Sequence, residues 1–219
     1  MTNPGGELSQ ATYHEIRFQH DARRSAVWRV LARYLQRWVR EDQPLLELGA
    51  GYGEFTREIK ASEKWALDQN PALAAHWDPA VHALFQSAME EWTVPDGSFG
   101  TVFASNFFEH FTIDQGAEIL LQIQRKLRPG GRFIAIQPNF RLEPRRYFDD
   151  YTHRTAYTDN GFQDFLRAYG WRIVHAEPRF TPFTMKSRLP TAEWLIKLYL
   201  ALPFRPFAGQ FLVVAERAE

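Results

Sequence analysis

The chain has 219 residues, 45% of them hydrophobic and 24% charged, the balance of a globular protein with one sizeable core. Its 26 Lys and Arg equal its 26 Asp and Glu, and the pI is near 7.1, so it lacks the positive field with which nucleic-acid binders collect phosphates. Cysteine is absent, which excludes disulfides, thiolate metal sites and a thiol nucleophile and fits a reducing, cytoplasmic setting.

Residues 1–10 are polar, carry Gly and Pro, and predict a loose tail with no signal peptide. Phe18, Val27, Leu31, Tyr34, Leu35, Trp38 and Val39 then recur at three- and four-residue spacing, which predicts helix up to Pro44. Residues 1–44 are thus expected to form a tail and helical cap, and 45–219 the main domain. LLEL reads as a buried strand, EFTREIK as a short helix, WALD (65–68) as a second strand, and Pro71 as a helix opener. ALFQS (83–87) and TVFAS (101–105) predict strands three and four. Residues 113–128 carry a helical apolar stripe stopped by the PGG at 129–131, and RFIAIQP makes a fifth strand. A polar and aromatic loop at 139–157 leads to a helix over 158–169. WRIVHAEP and FLVVAER (211–217) are the last strands, separated by an insertion at 181–209.

Strands alternating with helices predict an α/β domain with a mostly parallel, seven-stranded sheet covered on both faces. The long excursion before the last strand predicts one antiparallel strand near an edge. No stretch approaches the roughly 18 apolar residues of a membrane span.

LLELGAGYGEF (45–55) is the most informative stretch. Three glycines at every second position, after a strand and before a helix, bare the backbone for a ligand at the carboxyl end of the sheet. Asp68, 19 positions after Gly49, ends the second strand where an acid accepts hydrogen bonds from ribose hydroxyls. A dinucleotide site needs its third glycine one position later. Here that position is Glu54, and both it and Glu47 would repel pyrophosphate but suit a cation.

The run from Glu47 to Gly53, E-x-G-x-G-x-G, resembles motif I of the class I S-adenosylmethionine-dependent methyltransferases, small-molecule branch. The likeness runs from residue 13 to 217. FGTVFASNFFEHF (99–111) resembles the family's fourth motif, with Gly100 or Thr101 where an acid is often found. LRPGGRFIAIQPN (127–139) resembles its helix–PGG–strand segment. The resemblance implies a Rossmann-like fold and S-adenosylmethionine as cofactor. It implies cofactor contacts from Glu47, Gly49, Ala50, Gly51 and Gly53, from Asp68 and Gln69, from Ser87, Ala88 and Met89 around the adenine, and from Asn106 and Phe107. YHEIRF (13–18) resembles the family's lead-in helix, with Arg17 on the methionine carboxylate. Ser105-Asn106-Phe107-Phe108 departs from the N-P-P-Y sequence of enzymes that methylate DNA adenine or glutamine. Asn106 has no acidic partner in sequence, so no metal is expected.

Methyl transfer is an in-line displacement in which positioning supplies much of the rate, and a neutral nucleophile needs somewhere to put its proton. Two histidines qualify: His110 after strand four, and His153 in the following loop with Asp149 and Asp150 to orient it. His110 is read as a site-lining residue and His153 as the best candidate base, both able instead to be structural. Arg141, Arg145 and Arg146 are candidates to capture a carboxylate or phosphate on the acceptor, or else form a solvated loop. The insertion is aromatic, with Lys186, Arg188, Lys197 and Arg205 against Glu193. It reads first as a lid over the acceptor, and otherwise as a dimer surface or a peripheral membrane contact.

The expectation is a cytoplasmic methyltransferase, monomer or homodimer, acting on a small molecule, oxygen ahead of nitrogen. The acceptor is expected to be acidic, glycan or lipid-linked, and no nucleic acid partner is foreseen. The rivals are a non-catalytic cofactor-binding protein and, against the glycine spacing, a nicotinamide oxidoreductase.

Overall fold

The computed structural model describes residues 22–182 and 192–217. Tyr13, His14, Arg17 and Phe18 lie outside the described residues, as do Lys186 and Arg188 of the insertion. In chain order the elements are α1 (Ala22–Leu35), β1 (Leu45–Leu48), α2 (Glu54–Glu58), β2 (Lys64–Asp68), β3 (His82–Phe85), β4 (Phe99–Ser105), α3 (Ile113–Lys126), β5 (Leu127–Pro138), α4 (Asp159–Ala168), β6 (Trp171–Glu177), α5 (Glu193–Ala201) and β7 (Gln210–Arg217). The sheet has seven strands in the order β3-β2-β1-β4-β5-β7-β6. All neighbours pair in parallel except β7, which runs antiparallel to both β5 and β6, one place in from the edge.

Period-two alternation along the central strands sorts the apolar side chains into two cores. Val102, Ala104, Phe133 and Ala135 face one side, where Ile119, Leu120 and Ile123 of α3 and Phe162 and Leu166 of α4 cover them. Phe103, Ile134, Ile136, Leu212 and Val214 face the other, under Trp28, Leu31 and Leu35 of α1, Phe55 of α2 and Leu200 of α5. Phe55 stacks on Phe103 at 3.8 Å between ring centroids, so the helix after the glycine turn is anchored in the second core.

Three boundaries differ from expectation. The segment after Pro71 is a single 3-10 stretch, Pro71–His76, capped by Asn70 Oδ1 accepting from Ala72 N at 3.1 Å. α3 ends at Lys126, and β5 begins at once and runs through Pro129-Gly130-Gly131, because Leu127 pairs with Phe99 across a bulge. β3 covers His82–Phe85, leaving Ser87 in the loop beyond it.

The insertion differs more. Its ends meet in a neck, with Gly209 N and Gln210 N both donating to Thr181 O at 2.8 and 2.9 Å. α5 then lies against α1, where Glu193 accepts from Arg29 (2.8 Å) and Arg33 (3.2 Å). Buried Arg205 holds the return loop by donating to Glu177 and to Leu200 O. None of the described residues of the insertion lines the cleft described below, so in this part the expected lid is a buttress on the helical layer. Trp194, Leu198, Leu202, Phe204 and Phe207 are the exposed apolar side chains among its described residues. Among the described residues no helix is long and apolar enough to cross a membrane.

Candidate active site

A cleft of about 550 Å³ opens at the carboxyl ends of β1, β2 and β4, the place where open parallel sheets bind ligands. Its floor is the turn after β1. Gly49, Gly51 and Gly53 all have positive φ, at 63°, 53° and 67°, a region that L side chains rarely adopt. The turn is fixed from below: Gly49 N and Ala50 N donate to Leu67 O at 2.8 and 3.2 Å, and Gly53 N to Ala50 O at 2.9 Å. A Cβ at Gly49 would meet Phe107 at 2.8 Å, and one at Gly53 would meet Trp77 at 2.7 Å, whereas one at Gly51 would meet nothing within 4 Å. Gly51 therefore bares backbone toward open space, and Gly53 serves the packing of Trp77 rather than the cleft wall.

Asp68, 6% exposed, is held by two backbone donors, Gly51 N on Oδ2 and Asn70 N on Oδ1, each at 2.9 Å. Gln69, Ser87 and Ala88 continue this wall, and Asn106 and Phe107 close the side at β4. Asn106 sits at φ 49°, donating from its backbone to Ile136 O (2.9 Å) and accepting at Oδ1 from Gln210 Nε2 (2.6 Å). Met89 turns away from the cleft: it packs against the first core and borders a shallow depression with Glu91 and Leu121.

Neither acid beside the glycines is a bare charge, a correction to the electrostatic expectation. Glu54 is in an ion pair with Arg24 of α1, which donates from Nε at 2.7 Å and from a terminal nitrogen at 3.1 Å. Glu47 is buried and accepts from the backbone N of Thr56 (3.1 Å) and from its hydroxyl, and burial pushes its carboxyl up to about 8. Arg24 and Trp28 bring α1 to the cleft, so the helical cap reaches the site through residues the sequence did not single out.

At the other end stand His110, Tyr151, Thr152 and Arg154. His110 ends a one-turn segment, Phe108–His110, and its side chain is 25% exposed. Thr152 Oγ1 lies 2.9 Å from His110 Nδ1 and donates to Asp150 Oδ1 at 2.6 Å. Burial first, then the neighbouring His153, lowers His110 to about 4, so its ring is neutral at pH 7.

His153 is corrected as a candidate base. Its side chain is 6% exposed behind His110, with the two rings 5.1 Å apart, and it does not line the cleft. Asp149 is exposed at the end of the turn Tyr147–Asp149 and also misses the cleft; the acid that orients the site is Asp150, through Thr152. Arg141, Arg145 and Arg146 do not reach the cleft either, and Arg141 lies 3.6 Å from Asp159. Arg154 is the arginine of this loop that lines the cleft: among the described residues its guanidinium is in no ion pair, while its backbone N donates to Glu109 O at 2.7 Å. The only sequence signal for Thr152 and Arg154 was their position on either side of His153.

The residues present fit a nucleoside carrying an amino acid: a backbone cradle with one glycine open to the ligand, and a fixed carboxylate 17 positions beyond it.

Residues 18–176 match the family model described as a methyltransferase domain. Among solved structures, a SAM-dependent methyltransferase from Archaeoglobus fulgidus superposes with a TM-score of 0.64 at 19% identity, over 87% of this chain and 94% of that one. The Haloferax volcanii complex containing the Trm112 methyltransferase activator gives 0.66 at 16%, over 88% and 90%. Geranyl diphosphate C-methyltransferase from Streptomyces coelicolor, in complex with Mg2+, geranyl diphosphate and S-adenosyl-L-homocysteine, gives 0.60 at 13%, over 86% and 77%. No curated protein matches the sequence.

Proposed function

The chain belongs to the methyltransferase-domain family and uses S-adenosylmethionine, and from that premise we propose that it methylates a small, acidic acceptor on oxygen. The observation that carries this reading is the polarity of the cleft's two ends. One end is glycine backbone and Asp68; the other is neutral His110, braced by Thr152, with Arg154 beside it. The cofactor's ribose hydroxyls donate to Asp68, and its sulfonium supplies the methyl group. His110 accepts a hydrogen bond from the acceptor hydroxyl and so holds its oxygen in line, where positioning supplies much of the rate. Arg154 holds an anionic group of the acceptor in a forked pair. A cleft of about 550 Å³ and a neutral chain support a small molecule over a nucleic acid. Cytoplasmic residence, in keeping with the absence of cysteine, belongs to the same proposal.

The test has two stages. S-adenosylmethionine, S-adenosylhomocysteine and NAD are titrated calorimetrically into the protein and into Asp68→Ala. Binding of the first two but not NAD, weakened at least tenfold (roughly 1.4 kcal/mol) in the variant, is expected. Release of S-adenosylhomocysteine is then followed over a panel of hydroxy acids, phenols and amines. Turnover with amines alone would overturn the oxygen assignment. Cofactor binding without turnover on any acceptor would favour a binding protein.

A further inference from the structure

Glu109 takes no part in the proposed chemistry, and its environment is costly. It is 0% exposed, and Oε1 has no hydrogen-bond partner. No Lys or Arg among the described residues lies within 4.0 Å of it. Gln137 donates to Oε2, while Oε1 faces two imidazoles, 3.9 Å from His110 Nε2 and 3.9 Å from His153 Nε2. An ionised carboxylate in such a place needs a cation, and without one burial keeps it protonated.

We infer that Glu109, His110 and His153 form a binding site for a divalent transition-metal ion at the acceptor end of the cleft. One ligand atom from each lies within 4.8 Å of the other two. Ligands about 2.0–2.2 Å from a common ion stand roughly 3–3.5 Å apart, so closing the site needs small side-chain movements and no change of backbone. The backbone already joins the two segments, since Arg154 N and Thr155 N both donate to Glu109 O, at 2.7 and 3.2 Å. That pairing brings His153 to a turn 43 positions earlier in the chain.

Two imidazoles and a carboxylate select Zn2+, Fe2+, Mn2+ or Co2+ over Mg2+ and Ca2+, which prefer all-oxygen sets. Three protein ligands leave a coordination position open. It lies on the cleft side, because His110, Thr152 and Arg154 line the cleft while Glu109 is fully buried. The outer contacts are those a ligand set needs. Thr152, backed by Asp150, meets His110 Nδ1, and Gln137, its amide nitrogen toward Glu109, donates to Oε2.

The site's use in catalysis rests on the methyl-transfer reading; the site itself does not. With Nδ1 on Thr152 and Nε2 on the ion, His110 would hold the ion, and the ion would take over from the ring the holding of the acceptor oxygen. An ion beside it would lower the pKa of the acceptor hydroxyl, whose proton leaves to water. The oxygen keeps the electron pair, the O–CH3 bond forms as the S–CH3 bond breaks, and S-adenosylhomocysteine departs neutral at sulfur.

The test titrates chelator-treated full-length protein with Co2+, followed by its visible absorption, and then with Zn2+ as competitor. S-adenosylmethionine is titrated in parallel. One saturable Co2+ per chain, displaced by Zn2+ and weakened at least about tenfold in Glu109→Gln and in His153→Gln, is expected. Should either variant fail to fold, imidazole 15N resonances of the wild type decide, with two of its 7 histidines shifting on Zn2+ addition. No saturable Co2+ signal, no shifted histidine pair, or equal binding by wild type and folded variants would overturn the site. Ion binding without S-adenosylmethionine binding would leave the site standing and sink the methyl-transfer reading.

Discussion

The two ends of the cleft are built by different means. At the glycine end the ligand-facing surface is backbone, set by three positive-φ residues and ladder bonds to β2. At the histidine end it is side chain, assembled from a turn after β4 and a loop after β5 that meet through the carbonyl of Glu109. A backbone surface is specified by a few contiguous residues. A side-chain surface is specified by contacts between segments distant in sequence. The first kind of site is therefore rigid and general, and the second is the kind that varies with loop sequence.

The largest expected effects break the glycine end. Gly49→Ala puts a Cβ at φ 63° and 2.8 Å from Phe107, so thermal unfolding should show a loss of about 2–3 kcal/mol, with cofactor affinity falling about 100-fold. Gly51→Ala meets no protein atom within 4 Å, so it should cost only about 1 kcal/mol of stability while still obstructing the cofactor. Equal stability losses in the two variants would remove the distinction between packing and ligand-facing glycines.

The next effect sharpens the histidine end. Arg154→Leu leaves the backbone bond to Glu109 in place and removes only the guanidinium. KM for an anionic acceptor should rise about tenfold with kcat nearly unchanged, the mark of lost uniform binding. A neutral analogue should show no difference. An equal fall in kcat for both acceptors would make Arg154 part of the scaffold instead.

The same contrast explains what could be read from sequence. LLELGAGYGEF carries strand, turn and helix in one stretch, and the placement of Asp68 followed from the same local spacing. The seven-stranded, mostly parallel sheet with one antiparallel strand near an edge followed from element order and from the long excursion before the last strand, while the strand order did not. The sequence sets His153 beside Asp149 and Asp150, and in the fold His153 N donates to Asp150 O at 3.1 Å while the ring lies behind His110. The loop folds so that Asp150 bonds Thr152, and His153 points inward to Glu109. Glu109 showed no signal at all, since an acid beside a histidine reads as surface until its burial is known. The apolar α5 reads first as a lid in the sequence, and its contact with α1 depends on Glu193 meeting Arg29 and Arg33, some 160 residues away.

A pH experiment separates Glu47 from its solvent-facing counterparts. Its carboxyl, ordinarily near 4.5, stands at about 8 in the folded chain because burial disfavours the charge. The unfolded chain loses this proton as pH rises past about 4.5, while the folded chain keeps it until about 8. The folded state then binds more protons, so its stability falls with rising pH across that window and levels above it. Glu47→Gln carries no proton to lose and still offers an oxygen to Thr56. Between pH 5 and 8 the cofactor-free wild type should lose about 3–4 kcal/mol more than the variant in denaturant titrations. Parallel pH profiles would mean that Glu47 is ionised in the folded protein, and its carboxylate would then be available to a cationic ligand as first expected.

The smallest effect lies outside both ends of the cleft and serves as their control. Phe207 has φ 57° and is 77% exposed, in the loop between α5 and β7. A bulky residue in the left-handed region carries strain, and here almost no burial offsets it. Asparagine tolerates this conformation, so Phe207→Asn should raise stability by about 0.5–1 kcal/mol. Cofactor affinity and turnover should not change, because no described residue of the insertion lines the cleft. A loss of turnover in Phe207→Asn, with S-adenosylmethionine still bound, would show that this part of the insertion meets the acceptor. The histidine end would then extend beyond the two segments joined at Glu109, and its acceptor would be larger than the cleft alone suggests.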